Sequence, residues 1–124
     1  LPDIESWLKA VAPKIAMVFG VQLQLEFYQT NAEHEFLTKI SQGWDGALLN
    51  PGAWTHTSLA LSDRLAGLGL PFVEVHLSNL ARRNRNDSLS AAHAVGVVYG
   101  FSQGSYLAGL CGLLNHLAGK QIQE

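Results

Sequence analysis

The sequence predicts an α/β fold, a three-layer domain with a parallel sheet and helices on both faces. Two observations carry this. Segments whose apolar residues alternate or run on for four to eight residues are separated by segments with apolar steps of three and four. They follow one another at the spacing of βα units, with no repeat, low-complexity tract or linker between them. A third observation fits: of 124 residues, 48% are hydrophobic and 15% charged, which is enough apolar material for a real core.

The elements follow in order. Asp3 to Phe19 is an amphipathic helix with Ile4, Trp7, Leu8, Val11 and Ile15 on one stripe. Pro13 is expected to kink it, and Gly20 to stop it. Val21 to Phe27 alternates as a strand with one polar face. Thr30 and Glu33 have capping-box spacing before a helix over 32–41. Gly46 to Asn50 is a short strand, and Asn50-Pro51-Gly52 a turn. A third helix spans Thr57 to Leu68. Phe72 to Leu77 is a strand, Ser78 to Asp87 a polar loop, Ala94 to Phe101 a valine-rich strand. Gln103 to Leu117 is the last helix, whose Gly109 and Gly112 predict close packing against a neighbour.

A doubly wound sheet in the order 2-1-3-4-5 opens on an inner strand. This chain opens on a helix, and its first strand has the polar face of an outer one. Without an inner strand, two rows of backbone groups would stand unpaired. We therefore read residues 1–124 as a single domain whose first strand precedes this sequence.

Composition excludes several functions. A net charge of −2 does not fit a nucleic-acid binder, and Arg82, Arg83 and Arg85 are too few to make a basic stripe. The one cysteine, Cys111, excludes an internal disulfide and a four-thiolate zinc site, and is expected to be a buried, inert thiol. No apolar run reaches the ~18 residues of a membrane helix. No basic segment leads into an apolar one at the start, so a soluble, intracellular protein is expected. Low charge also predicts surface to hide against further copies of the chain.

Ligands of open α/β sheets bind beyond the carboxyl ends of the strands. Two strand ends there are polar. One runs from Asn50 through Pro51, Gly52, Ala53, Trp54 and Thr55 to His56. The other runs from Glu74 through Val75, His76, Leu77 and Ser78 to Asn79. Glu74 and His76 lie two apart and so share a strand face. A carboxylate beside an imidazole fixes its tautomer and suits it to act as a general acid. The same pair also fits a buried polar contact that only satisfies itself. Asn50 fits a turn starter as well as a ligand, and His56 a surface residue near a helix start. Ser78 and Asn79 bring a hydroxyl and backbone N–H groups of the kind that hold a carboxylate. His34, His93 and His116 lie on expected helices and read as surface or core. No metal template, dinucleotide loop, Walker loop or nucleophile elbow is present.

The strings themselves resemble a known family. Asn50-Pro51-Gly52-Ala53-Trp54-Thr55-His56-Thr57-Ser58 is similar to the Asn-Pro-Gly-Ala-Tyr-Thr-His-Thr-Ser signature of type II dehydroquinases. Phe72-Val73-Glu74-Val75-His76-Leu77-Ser78-Asn79 resembles its second signature. Gln29-Thr30-Asn31-Ala32-Glu33 looks like its Gln-Ser-Asn-x-Glu segment. The resemblance implies a flavodoxin-like subunit, assembled as a dodecamer of four trimers in the cytoplasm. It implies dehydration of 3-dehydroquinate to 3-dehydroshikimate, for aromatic biosynthesis or quinate use, with no metal or organic cofactor. In the family a lid tyrosine takes a proton from C2 to give an enolate, and a histidine protonates the leaving C1 hydroxyl. That acid matches His76, with Glu74 in support. Asn50 and His56 match substrate-binding positions, and Leu77 and Ser78 the pair that holds the carboxylate. Asp63 matches an aspartate that reaches the neighbouring subunit's site, and Arg85 a substrate-binding arginine.

There are departures. The family's first strand, its lid arginine and its lid tyrosine have no match in these residues, and Tyr28, Tyr99 and Tyr106 stand elsewhere. The loop Leu80 to Asp87 is about two residues short, which bears on Arg85. Trp54, His34 and Ser62 replace a usual tyrosine, glycine and arginine. Two other readings fit the same residues: a relative that binds a hydroxy-carboxylate but lacks the base, and an unrelated flavodoxin-like binder.

Overall fold

The computed structural model describes residues 2–82 and 88–119. In chain order these form α1 (Pro2–Phe19), α2 (Glu33–Ile40), β1 (Ala47–Leu49), α3 (Trp54–Thr57), α4 (Leu59–Leu68), β2 (Phe72–His76), a 3₁₀ turn (Ala91–His93), β3 (Gly96–Tyr99) and α5 (Gly104–Leu117). The three strands are parallel in the order β1-β2-β3. Leu49 stands level with Glu74, and His76 with Tyr99. The strands' carboxyl ends therefore lie side by side.

Helices cover both faces, as expected. On one face Leu49 and Phe72 pack with Ile40 of α2 and with Leu61 and Leu65 of α4. On the other, Val73 and Val75 meet Leu113 of α5, while Leu110 and Leu114 pack on Ala12 of α1. Every residue of β2 is buried, because the strand is central and covered on both sides. Its period of two then sorts the side chains. Phe72, Glu74 and His76 share the face toward α4, and Val73 and Val75 the face toward α5.

Several local expectations hold and others are corrected. Gly20 closes α1 at φ +66°, with Gly20 N donating to Met17 O and Val21 N to Ala16 O, the Schellman pattern. The helix runs on through Pro13, which lies on its exposed side, where a lost N–H donor is replaced by water at least cost. The expected strand over 21–27 is not one: no ladder pairs it among the described residues. Its alternation survives, since Val21, Leu23 and Leu25 pack on the α1–α5 cluster, but no strand among the described residues pairs with its backbone groups. The expected capping box is absent too. Ala32 is the N-cap of α2, without a side-chain bond. Thr30 Oγ1 instead accepts from Ala32 N and donates to Glu35, and Glu33 accepts from Ser58 Oγ.

The expected helix from Thr57 to Leu68 is two helices, broken at Ser58. Ser58 has extended backbone and caps α4 by accepting from Leu61 N at 2.9 Å, as a serine N-cap does. Cys111, expected to be buried, is only partly so. The two glycines of α5 differ. A Cβ on Gly109 would stand 3.1 Å from Val75 Cγ2 and 3.4 Å from Leu48 and Val73, whereas one on Gly112 would meet nothing within 4 Å. Gly109 thus lets α5 lie directly on the sheet. Gly109→Ala is expected to cost ~1–3 kcal/mol by overpacking, and Gly112→Ala to add ~0.5–1 kcal/mol through helix propensity. Urea unfolding of the two variants checks the contrast, and equal midpoints would refute it.

Candidate active site

The candidate site lies where β1 and β2 end. β1 runs out into Asn50, and the turn that follows is held by Asn50 itself, whose Oδ1 accepts from Gly52 N at 3.3 Å. Gly52 has φ +61°, a left-handed geometry that glycine tolerates. The other end of the same amide is anchored across the fold. Asn50 Nδ2 donates to Tyr106 Oη of α5 at 3.1 Å. Asn50 is therefore both the turn residue and a fixed polar group at the strand end.

α3 follows directly. Thr55 is fully buried, its hydroxyl donating to Gly52 O at 2.7 Å and its carbonyl accepting from Leu89 N at 2.6 Å. These bonds orient the next residue, His56, which is half-buried at the close of α3.

β2 contributes the Glu74–His76 pair. Glu74 is 0% exposed and His76 5%, and His76 Nε2 lies 3.0 Å from Glu74 Oε2. Glu74 Oε1 accepts from Ser88 Oγ at 2.9 Å and from Ser90 Oγ. Burial alone would raise the Glu74 carboxyl. The hydrogen bonds from His76, Ser90 and Ser88, with the charge of His76, outweigh it and hold the group below its ordinary value of 4.5. Glu74 is thus an anion at neutral pH, and its partner imidazole is oriented with Nε2 toward it.

Beyond β2 the chain turns. Leu77 O accepts from Ser102 N at 2.9 Å, and Asn79 Oδ1 accepts from Ala81 N at 3.0 Å. Gly100, at φ +98°, comes so near that a Cβ there would lie 3.4 Å from Asn79 Cβ. Leu77 and Ser78 are half-buried on this end of the sheet.

The predicted residues do not all gather. Asn50, Glu74, His76, Leu77 and Ser78 lie on or beside the two adjacent strand ends, and His56 on α3, which follows β1. Asp63 lies on the exposed side of α4, in a shallow groove with Ala60, Arg64, Gly67 and Leu68. Arg85 falls outside the described residues. Three partners were not read from sequence: Ser88 and Ser90 on Glu74, and Tyr106 on Asn50. Among the described residues no group of three or more His, Cys, Asp or Glu gathers as a metal site would, and no helix is long and apolar enough to cross a membrane.

The family model described as dehydroquinase class II matches residues 4–114. The chain belongs to the class II dehydroquinases. It is 46% identical over 122 residues to a protein of a Synechococcus strain named 3-dehydroquinate dehydratase, covering 94% of this chain and 80% of that protein. A Nostoc protein of the same name is 46% identical over 122 residues, covering 96% and 80%. Among solved structures, the type II dehydroquinase of Butyrivibrio crossotus superposes with a TM-score of 0.73 at 29% identity, over 87% of this chain and 78% of that one. That of Propionibacterium acnes gives 0.70 at 31%, over 87% and 77%. As a class II dehydroquinase the chain has the flavodoxin-like α/β fold of these neighbours, with three strands of the sheet among the described residues.

Proposed function

We propose that this chain serves a lyase that dehydrates 3-dehydroquinate to 3-dehydroshikimate through an enolate, with His76 as the general acid. The carrying observation is the buried Glu74–His76 pair at the carboxyl end of the central strand, in a chain of this family whose relatives are named 3-dehydroquinate dehydratase. A base removes the C2 proton, and the electron pair is held as the enolate. The enolate re-forms the carbonyl as the C1–O bond breaks, and the leaving hydroxyl takes a proton from His76 to depart as water. Nε2 is committed to Glu74, so Nδ1 is the nitrogen that donates. The base has no match among these residues; the chain supplies the acid and binding half of the site.

In this reading Asn50 and His56 bind the ring hydroxyls. Leu77 and Ser78 hold the carboxylate, with Arg85. Asn50 is suited to its part because Tyr106 and Gly52 fix both ends of its amide, leaving one Nδ2 hydrogen for substrate. Asp63 serves a neighbouring subunit in a cytoplasmic dodecamer of four trimers, in keeping with its exposed position and with exposed Leu59 and Phe101.

The product is a conjugated enone, so turnover is followed by ultraviolet absorbance. The complete protein is expected to convert 3-dehydroquinate. Asn50→Ala is expected to weaken kcat/KM by on the order of 10–100-fold, as loss of a hydrogen bond to substrate does. An absorbance trace that stays flat with wild-type protein and substrate would remove the proposal.

A further inference from the structure

The acid pair is held by a third segment that belongs to neither strand end. Both hydroxyls of Ser88 and Ser90 reach Glu74 Oε1, and they stand 3.2 Å from each other. Ser90 is 1% exposed. Ser88 Oγ also accepts from Ala91 N at 3.1 Å, so its lone pair faces the backbone and its hydrogen faces the carboxylate. Between them, Leu89 donates its N–H to Thr55 O at 2.6 Å and accepts from Ser62 Oγ at 3.2 Å. Residues 88–90 therefore bridge the α3 segment that carries His56 and the strand that carries His76.

A carboxylate oxygen offers about two strong acceptor directions. Two hydroxyls fill those of Oε1, which leaves Oε2 for the imidazole. Desolvation of a buried anion would otherwise favour its protonation, and a neutral Glu74 no longer fixes which nitrogen of His76 carries the proton. We infer that Ser88 and Ser90 are positioning residues for the acid: by saturating Glu74 Oε1 they hold Glu74 as an anion aimed at His76 Nε2, and so commit Nδ1 to delivering the proton. The inference rests on the reading of His76 as the acid.

The test uses the complete protein with Ser88→Ala, Ser90→Ala, the double variant and Ser88→Thr. Turnover of 3-dehydroquinate is measured with the pH titration of the Glu74 carboxyl by ¹³C NMR. The double variant is expected to lose on the order of 10–100-fold in kcat, as removal of partners behind a reacting group does, with KM within about twofold. Its Glu74 carboxyl will titrate at higher pH than in wild type, and Ser88→Thr, which keeps a hydroxyl, will behave as wild type. If the double variant does not fold, the half-buried Ser88→Ala carries the same two readouts. Unchanged kcat, or a fall in kcat with the Glu74 titration unmoved, overturns the inference. His76→Ala separates the two levels. A slow His76→Ala beside silent serine variants sinks this inference alone, whereas a fully active His76→Ala sinks the acid assignment beneath it.

Discussion

Replacing His76 by alanine will lower kcat for 3-dehydroquinate by ~10²–10⁴-fold and leave KM within about threefold. The size follows from what is removed. A hydroxyl is a poor leaving group, and expulsion as hydroxide costs far more than expulsion as water. The imidazole supplies that proton in the transition state and makes no comparable demand on the ground state. Hence the loss appears in kcat. The change also costs stability, because the buried Glu74 carboxylate loses its partner at Oε2 and keeps only the hydroxyl donors at Oε1, so folding of the variant is checked beside turnover. Turnover equal to wild type in a folded His76→Ala protein would take the acid role away from this residue.

Glu74→Ala will damage both stability and turnover. It leaves an imidazole and two hydroxyls facing a buried void with no acceptor. Leaving buried polar groups without their acceptor costs ~1–3 kcal/mol each. Glu74→Gln keeps the volume and separates the charge from the shape. The sign of its pH dependence follows from the lowered carboxyl. A group held below its ordinary value stabilises the folded state fully above that value, 4.5. It loses that contribution as pH falls through the folded-state value. Urea midpoints of the wild type should therefore drop on acidification below about pH 4.5, and those of Glu74→Gln should drop less steeply. Parallel curves for the two proteins would show that Glu74 carries no such linkage.

Much of this site was legible in the sequence because its logic is local. Glu74 and His76 sit two residues apart in a strand, and a period of two puts them on one face whatever surrounds them. Asn50 before Pro51-Gly52 announces a turn by its own chemistry. The serine clamp was not legible. Ser88 and Ser90 come 14 and 16 residues after Glu74, beyond a loop without periodicity, and nothing in their spacing encodes a contact made in three dimensions. Tyr106 reaches Asn50 across 56 residues for the same reason.

The fold shows the same division. Alternation over 21–27 correctly marks which side chains face the core, as the packing of Val21, Leu23 and Leu25 shows. It carries no information on whether the backbone has a partner strand, and here it has none among the described residues. The helix read from Thr57 continued an apolar pattern through Ser58, while the serine hydroxyl captured the Leu61 N–H and started a new helix. Capping chemistry overrode periodicity there.

The strict two-sidedness of β2 restricts how this protein can change over generations. Adding or removing one residue inside β2, just after Phe72, would turn the rest of the strand over. Valine would then face the serines, and the carboxylate would press on Gly109. Substitutions along β2 can be tried one at a time, but a change of length there would have to come in pairs of residues to leave the chemistry on its side of the sheet. The connection Gly69 to Pro71 carries no such parity and can lengthen or shorten by single residues.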